Sequence, residues 1–170
     1  ERLQLLIAEL LDVDKIQLGK LDLNITTFNF NEMLDDAIED VQISTYNHTF
    51  LKEGVISLPF KGDKDRLQQV VINLLTNAAK YSSESDKVFI TVTEEEKMIK
   101  VAVKDQGVGI KKENLKKIFD LYFREESAHP FQGFGIGLSI ASEIVKRHNG
   151  KIWAKSELGK GTTVYFTIPM

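Results

Sequence analysis

The sequence has no cysteine among its 170 residues, which excludes disulfides and thiolate metal sites and says little about compartment. It has no apolar run approaching the roughly 18 residues of a membrane span, so no segment is expected to cross a bilayer. It also lacks an excess of positive charge: 22 lysines and arginines face 25 aspartates and glutamates, for a net charge of -3. No basic surface therefore advertises DNA, RNA or an acidic membrane, and a polyanion would have to be attracted by local groups. There is no internal repeat, low-complexity tract or signal-like segment. The chain opens on Glu1 rather than Met and is expected to be a piece of something longer. What is present, 42% hydrophobic and 28% charged residues, is the composition of a soluble domain with a real core.

Residues 1–18, ERLQLLIAELLDVDKIQL, carry a helical seam of Leu3, Leu6, Leu10, Val13 and Ile16, widened by Leu5, Ile7 and Leu11. That helix is apolar over too much of its girth to stand alone. It packs either on a partner helix or on the rest of this domain. An extended linker with a short strand around 26–30 follows, and Asn31 is a candidate N-cap for a helix over 32–47 with acidic first turns. Short strands are expected near 49–53 and 55–58, and Asp63 caps a long helix reaching Tyr81. KVFITVTEEE and KMIKVAVKDQ alternate as a hairpin turning near Lys97. A short helical stretch at 112–120, the aromatic segment IFDLYFR and a loop at 124–132 come next. A helix over 135–149 stops at Gly150, and KIWAKSEL, a GKG turn and TTVYFTIP form a final hairpin. Helices mixed with antiparallel hairpins predict an α+β sandwich with helices on one face of a sheet.

The stretch QGFGIGLSIASEIVKRHNG sets Gly133, Gly135 and Gly137 directly before an apolar helix pattern. Glycines there can build an anion site from free N–H groups and the positive end of the helix dipole, or simply make a tight turn. A dinucleotide fingerprint is excluded because the preceding residues, REESAHPFQ, are a polar loop rather than a strand. A P-loop is excluded because Ala154 and Gly161 occupy the positions its glycine and hydroxyl residue would need around Gly159-Lys160.

On the long helix, Asn73 and Asn77 share a face and interrupt the otherwise apolar run VVINLLTNAA, with Lys80 and Arg66 near the same edge. Such a stripe can hold a hydrated Mg²⁺ and phosphate oxygens, or be a solvated face of an amphipathic helix. Ile99, Val101, Val103 and Asp105 alternate onto one face of a strand, so Asp105 ends a core-facing row with a carboxylate in need of a donor. An adenine amino group is one such donor. The other reading is an Asp-x-Gly turn in which Asp105 bonds its own backbone.

NLLTNAAKYS, KDQGVGI, IFDLYFR and GFGIGLSIA occur in this order and at these distances. They resemble the N box, first glycine box, F box and second glycine box of the bacterial sensor histidine kinases, over roughly residues 31–168. The resemblance implies a catalytic ATP-binding domain over 21–170 with the Bergerat fold, a mixed sheet covered on one face by three helices. That fold is shared with gyrase, mismatch-repair ATPases and ninety-kilodalton chaperones. Residues 1–20 resemble the end of the second helix of the family's dimerisation and phosphoacceptor hairpin.

Carried over motif by motif, Asn77 is the expected Mg²⁺ ligand, with Asn73 and Lys80 near the phosphates of ATP and Tyr81 beside the base or ribose. Asp105 would accept from the adenine amino group, Gly107, Gly109 and Ile110 would shape the pocket, and Thr162 would support it through its hydroxyl. Arg124, after the aromatics Phe119 and Phe123, would reach the γ-phosphate. The loop 124–132 would be a lid, with Gly133, Gly135, Gly137 and Leu138 as its hinge and phosphate cradle. The implied partners are an upstream phosphoacceptor hairpin, a response-regulator receiver domain and a second copy in a homodimer. The implied location is the cytoplasmic side of a membrane-anchored protein.

Relatives that hydrolyse ATP carry a glutamate as general base at the first N-box position. Here that position is Asn73, whose amide cannot take a proton at neutral pH. What remains is positioning and electrostatic stabilisation of the γ-phosphoryl group. The histidines are His48, His129 and His148, and none lies in a phosphoacceptor context. His148 ends a helix, where a partly charged imidazole would suit the dipole. Two other classes remain: an ATP-dependent switch without transfer, against which Arg124 and Lys80 argue, and a docking module without nucleotide, against which Asp105 and the glycines argue.

Overall fold

The computed structural model describes residues 2–57, 59–82, 86–124 and 134–170, apart from the side chains of 2–6, 8 and 9. Its elements run α1 (Arg2–Gln17), β1 (Thr26–Phe28), α2 (Phe30–Ser44), β2 (Thr49–Glu53), β3 (Phe60–Gly62), α3 (Lys64–Tyr81), β4 (Lys87–Glu95), β5 (Met98–Lys104), α4 (Gly137–Arg147), β6 (Lys151–Glu157) and β7 (Gly161–Pro169).

Five strands make one mixed sheet in the order β2-β4-β5-β7-β6, with β2 parallel to β4 and the other pairs antiparallel. The period-2 pattern dictates its faces. Val88, Ile90 and Val92 of β4, Ile99, Val101 and Val103 of β5, and Phe166 and Ile168 of β7 are buried on one side. The helices α2, α3 and α4 cover that side, α3 lying between the other two and touching β4 and β5. Over the other side lies no helix among the described residues, and it carries Lys100, Lys104, Lys151 and Lys155 around Tyr165 in adjoining rows. A separate antiparallel ribbon, β1 with β3, brings Phe28 opposite Phe60.

α3 follows its sequence closely. The Asp63 carboxylate accepts from the Arg66 N–H at 3.1 Å, the usual N-cap bond, and Leu67, Val70, Val71, Leu74, Leu75 and Ala78 are buried. The turn between β4 and β5 puts Glu96 and Lys97 at φ 49° and 64°, the left-handed pair that suits a two-residue hairpin.

Three expectations need correcting. The N-cap of α2 is Asn29 rather than Asn31: its side chain accepts from the N–H of Asn31 and Glu32 and donates to the Glu32 carboxylate. Asn31 instead clamps the backbone of Ile56 through two bonds, of 2.8 and 2.9 Å. With Ile56 so held, the strand expected near 55–58 forms later, as β3. The left-handed residue after α4 is Asn149, at φ 58°, not Gly150.

α1 divides its apolar surface. Val13 is buried and Ile16 packs on the core, while Ile7, Leu10 and Leu11 are 50%, 52% and 56% exposed. Asp12 fixes the docked end by accepting from Arg66 at 2.7 Å and Gln69 at 2.9 Å on α3.

Candidate functional site

The alternation in β5 carries Asp105 to the end of the core-facing row, and it is buried there. Its Oδ1 accepts from the N–H of Gly107 at 2.9 Å and of Thr162 at 3.0 Å. The carboxylate is therefore both a turn residue and a group aimed along the core face. Both of these bonds end on one oxygen. Burial pushes the Asp105 carboxyl above its ordinary range, and the backbone hydrogen bonds oppose that rise without cancelling it.

Gly107 lies so close to the C-terminal end of α3 that a Cβ would sit 1.9 Å from the Tyr81 carbonyl oxygen. The first glycine box therefore docks against the N-box helix as well as turning. Gly109 abuts the Glu157 carbonyl at the end of β6, and the Ile110 N–H donates to Ser156 Oγ at 2.8 Å. Asp105, Gly107, Gly109, Ile110, Tyr81 and Thr162 thus form one contiguous group where β5, β6 and α3 end and β7 begins.

A second group lies up the same helix. Asn73 Nδ2 donates to the Gly137 carbonyl at 3.0 Å, so the N-box amide is bonded to the first residue of α4. Ile136, at the N-cap position of that helix, makes no side-chain cap bond, and the first N–H groups and positive dipole end of a helix suit an anion. Gly135, at φ 71°, receives the preceding aromatic segment: its carbonyl accepts from the Tyr122 N–H at 2.9 Å, and a Cβ would lie 2.6 Å from the Phe123 oxygen. Leu138 packs on the core.

Asn77 follows Asn73 by one turn, half-buried, and its side-chain amide has no hydrogen-bond partner among the described residues. An amide oxygen so placed fits a hard cation that takes its remaining ligands from phosphate and water. No group of three or more His, Cys, Asp or Glu that could hold a metal is found among the described residues. Lys80 sits 4.7 Å over the Tyr81 ring, one further turn along.

The structure does not join every expected residue to these groups. Arg124 is exposed at the end of a described stretch. Gly133, His129 and most of the expected lid lie outside the described residues.

His148 corrects an expectation. It is buried, with Nδ1 2.8 Å from the Ile144 carbonyl and Nε2 3.1 Å from the Asp63 N–H. The first partner only accepts and the second only donates, so the bonds call for the neutral ring with its proton on Nδ1 rather than a cation at a helix end.

Two residues at the site have no counterpart in the motif reading. Ser156 touches Ile110, Gly161 and Thr162, and Gly161 lies so near the Asp105 carbonyl that a Cβ would be 2.2 Å from its oxygen. The alternation of β6 and the GKG turn were the available signals.

Residues 62–170 match the family described as histidine kinase-, DNA gyrase B-, and HSP90-like ATPase. The sensor histidine kinase WalK of Bacillus subtilis (strain 168) is 35% identical over 178 aligned residues, which cover 99% of this chain and 29% of that protein. The chain thus spans 29% of the length of this curated relative. The nucleotide-free catalytic domain of histidine kinase ThkA superposes with a TM-score of 0.70 at 31% identity, over 86% of this chain and 95% of that one. Full-length ShkA in complex with AMPPNP shares the fold, with a TM-score of 0.79 at 23% identity over 96% of this chain and 35% of that one.

Proposed function

Because this chain belongs to the histidine kinase-, DNA gyrase B-, and HSP90-like ATPase family and matches histidine-kinase catalytic domains, we propose that it positions the γ-phosphate of ATP for transfer to a histidine on a separate dimerisation segment. The observation that carries this reading is Asp105, a buried carboxylate whose bonds from the Gly107 and Thr162 N–H groups both end on Oδ1, at the end of α3 away from Asn73 and the start of α4. In this assignment Asp105 accepts from the adenine amino group, with Tyr81, Gly107, Gly109, Ile110 and Thr162 forming the surrounding wall. Asn73, Gly135, Gly137 and Leu138 hold the phosphates at the start of α4, and Lys80 and Arg124 supply positive charge. Bound Mg²⁺ would neutralise charge on the phosphates, with Asn77 as its protein ligand.

The protein's own contribution is binding, orientation and electrostatic stabilisation, since Asn73 stands where a water-activating base would be needed. Residues 1–20 are assigned to the end of a dimerisation helix and 21–170 to the catalytic domain. The phosphoacceptor hairpin, a second copy and a response-regulator receiver domain are the proposed partners. The whole protein is proposed to be membrane-anchored with this domain on the cytoplasmic side. No helix among the described residues is itself long and apolar enough to cross a membrane.

The test is ligand-dependent melting. ATP or ADP with Mg²⁺ at about 100-fold above its Kd should add about 2.7 kcal/mol, a rise of several degrees. GTP should add far less, because its base sets a carbonyl where adenine has an amino group. No rise with saturating ATP, or equal rises with both, would overturn the assignment.

A further inference from the structure

The core-facing rows of three neighbouring strands end in polar groups side by side. Asp105 follows β5, Thr162 lies next to it on β7 with its carbonyl accepting from the Asp105 N–H at 2.9 Å, and Ser156 is the partner of Thr162 on β6. Ser156 Oγ has three neighbours at 2.8 Å: the Ile110 N–H, the Gly161 carbonyl and Thr162 Oγ1.

A hydroxyl has one proton to give and two lone pairs. The Gly161 carbonyl can only accept, so it takes the Ser156 proton. The Ile110 N–H can only donate, so it fills one lone pair. The remaining contact is satisfied when Thr162 donates to Ser156. The Thr162 proton is then committed to Ser156, and Thr162 offers any ligand only lone pairs. Asp105, beside it, offers carboxylate oxygen.

We propose that Ser156 is a specificity-determining positioning residue, which by taking the Thr162 proton makes the Asp105–Thr162 wall purely accepting and so selects a 6-aminopurine over a 6-oxopurine. This rests on reading the Asp105 end of the site as the base pocket. An exocyclic amino group brings two N–H donors to that wall. A 6-oxo group brings lone pairs against lone pairs, and the single N1–H beside it leaves at least one of the two buried acceptors unpaired, which is how a hydrogen-bonding site rejects an analogue. With Ser156 removed, the Thr162 hydroxyl is released from its inward bond and can turn to donate to the oxo group.

The experiment measures Kd for ADP and for inosine diphosphate, which carries a 6-oxo group, with Mg²⁺ throughout. A ratio taken on one preparation is insensitive to the fraction folded. Ser156→Ala should lower the discrimination ratio about tenfold, mostly by improving the inosine nucleotide, since reversing one hydroxyl's polarity is worth on the order of one hydrogen bond. Ser156→Thr, which keeps the hydroxyl, should restore the ratio. Should Ser156→Ala not fold, Thr162→Val serves: it should lower the ratio by weakening ADP alone. An unchanged ratio in Ser156→Ala, or in Thr162→Val, overturns the role of Ser156 while Asp105→Asn still weakens ADP binding by about tenfold or more. ADP binding left undiminished by Asp105→Asn overturns the base-pocket reading itself.

Discussion

Asp105 carries the most testable chemistry of any single residue. Asp105→Asn keeps the size but replaces an acceptor-only group with one that can present a donor to the base. The expected loss is about 1.5–3 kcal/mol of nucleotide affinity, as for a charge-assisted bond, with a much smaller change in melting temperature. An unfolded variant would leave Asp105 as a turn residue only. The pH dependence has a definite sign. Burial raises the carboxyl above 3.8 in the free domain, so this group's contribution to stability is full at low pH and is lost as pH rises through the raised value. An amino donor favours the ionised form, so binding expels the proton. ADP affinity should therefore weaken on acidification from a pH above 3.8, and calorimetry on Asp105→Asn should show that dependence gone. Asn77→Ala should flatten the Mg²⁺ dependence of nucleotide binding while sparing adenosine contacts. Undiminished Mg²⁺ enhancement would remove Asn77 as the ligand.

At the scale of elements, the helix α3 and the hairpin of β4 and β5 were legible because each repeats one period over many residues, and a tertiary contact cannot shift such a pattern cheaply. Asp105 was legible for the same reason, as the next odd position after Ile99, Val101 and Val103. The cap of α2 was not. Asn29 and Asn31 both satisfy the local rule, and the choice belongs to a bond between Asn31 and Ile56, 25 residues away. Ser156 and Gly161 were hidden likewise: a serine in a strand and a glycine in a turn mean little until the register of β6, β7 and β5 makes them neighbours of Thr162 and Asp105.

The docking of α1 is a prediction at this same scale. Burial raises the Asp12 carboxyl, but the hydrogen bonds from Arg66 and Gln69 and the charges of Arg66 and Lys15 outweigh it and hold the group below 3.8. The stabilisation it gives is present above that ordinary value and is lost as pH falls through the lowered one. Asp12→Ala should cost about 1–3 kcal/mol of local docking. It should speed hydrogen exchange across 2–17 more than it lowers the melting temperature. Equal protection of α1 in both proteins would show that Val13 and Ile16 suffice.

The whole molecule is divided between surfaces that complete this domain and surfaces that remain open. α1 turns Ile7, Leu10 and Leu11 outward, at 50%, 52% and 56% exposure, while its other end is pinned to α3 and α4. An exposed apolar stripe on a helix fits the seam of a helical bundle. The proposed reaction needs such a bundle, because neither histidine among the described residues lies in a phosphoacceptor context. His148 is committed to Ile144 and Asp63, and His48 lies 3.4 Å from the Ser82 carbonyl in a loop before β2. Water is a poor substitute, since Asn73 donates to Gly137 through its amide and has no basic group to offer. With ATP and Mg²⁺ alone these residues should therefore form no stable phosphoprotein and turn over slowly or undetectably. Adding the proposed upstream phosphoacceptor hairpin, in cis or as a separate dimer, should yield label on a histidine of that hairpin, acid-labile and base-stable as a phosphoramidate is. Brisk hydrolysis by the 170 residues, or label on His48, His129 or His148, would move the chemistry into this domain and undo the assignment of Asn73 as a group that only positions.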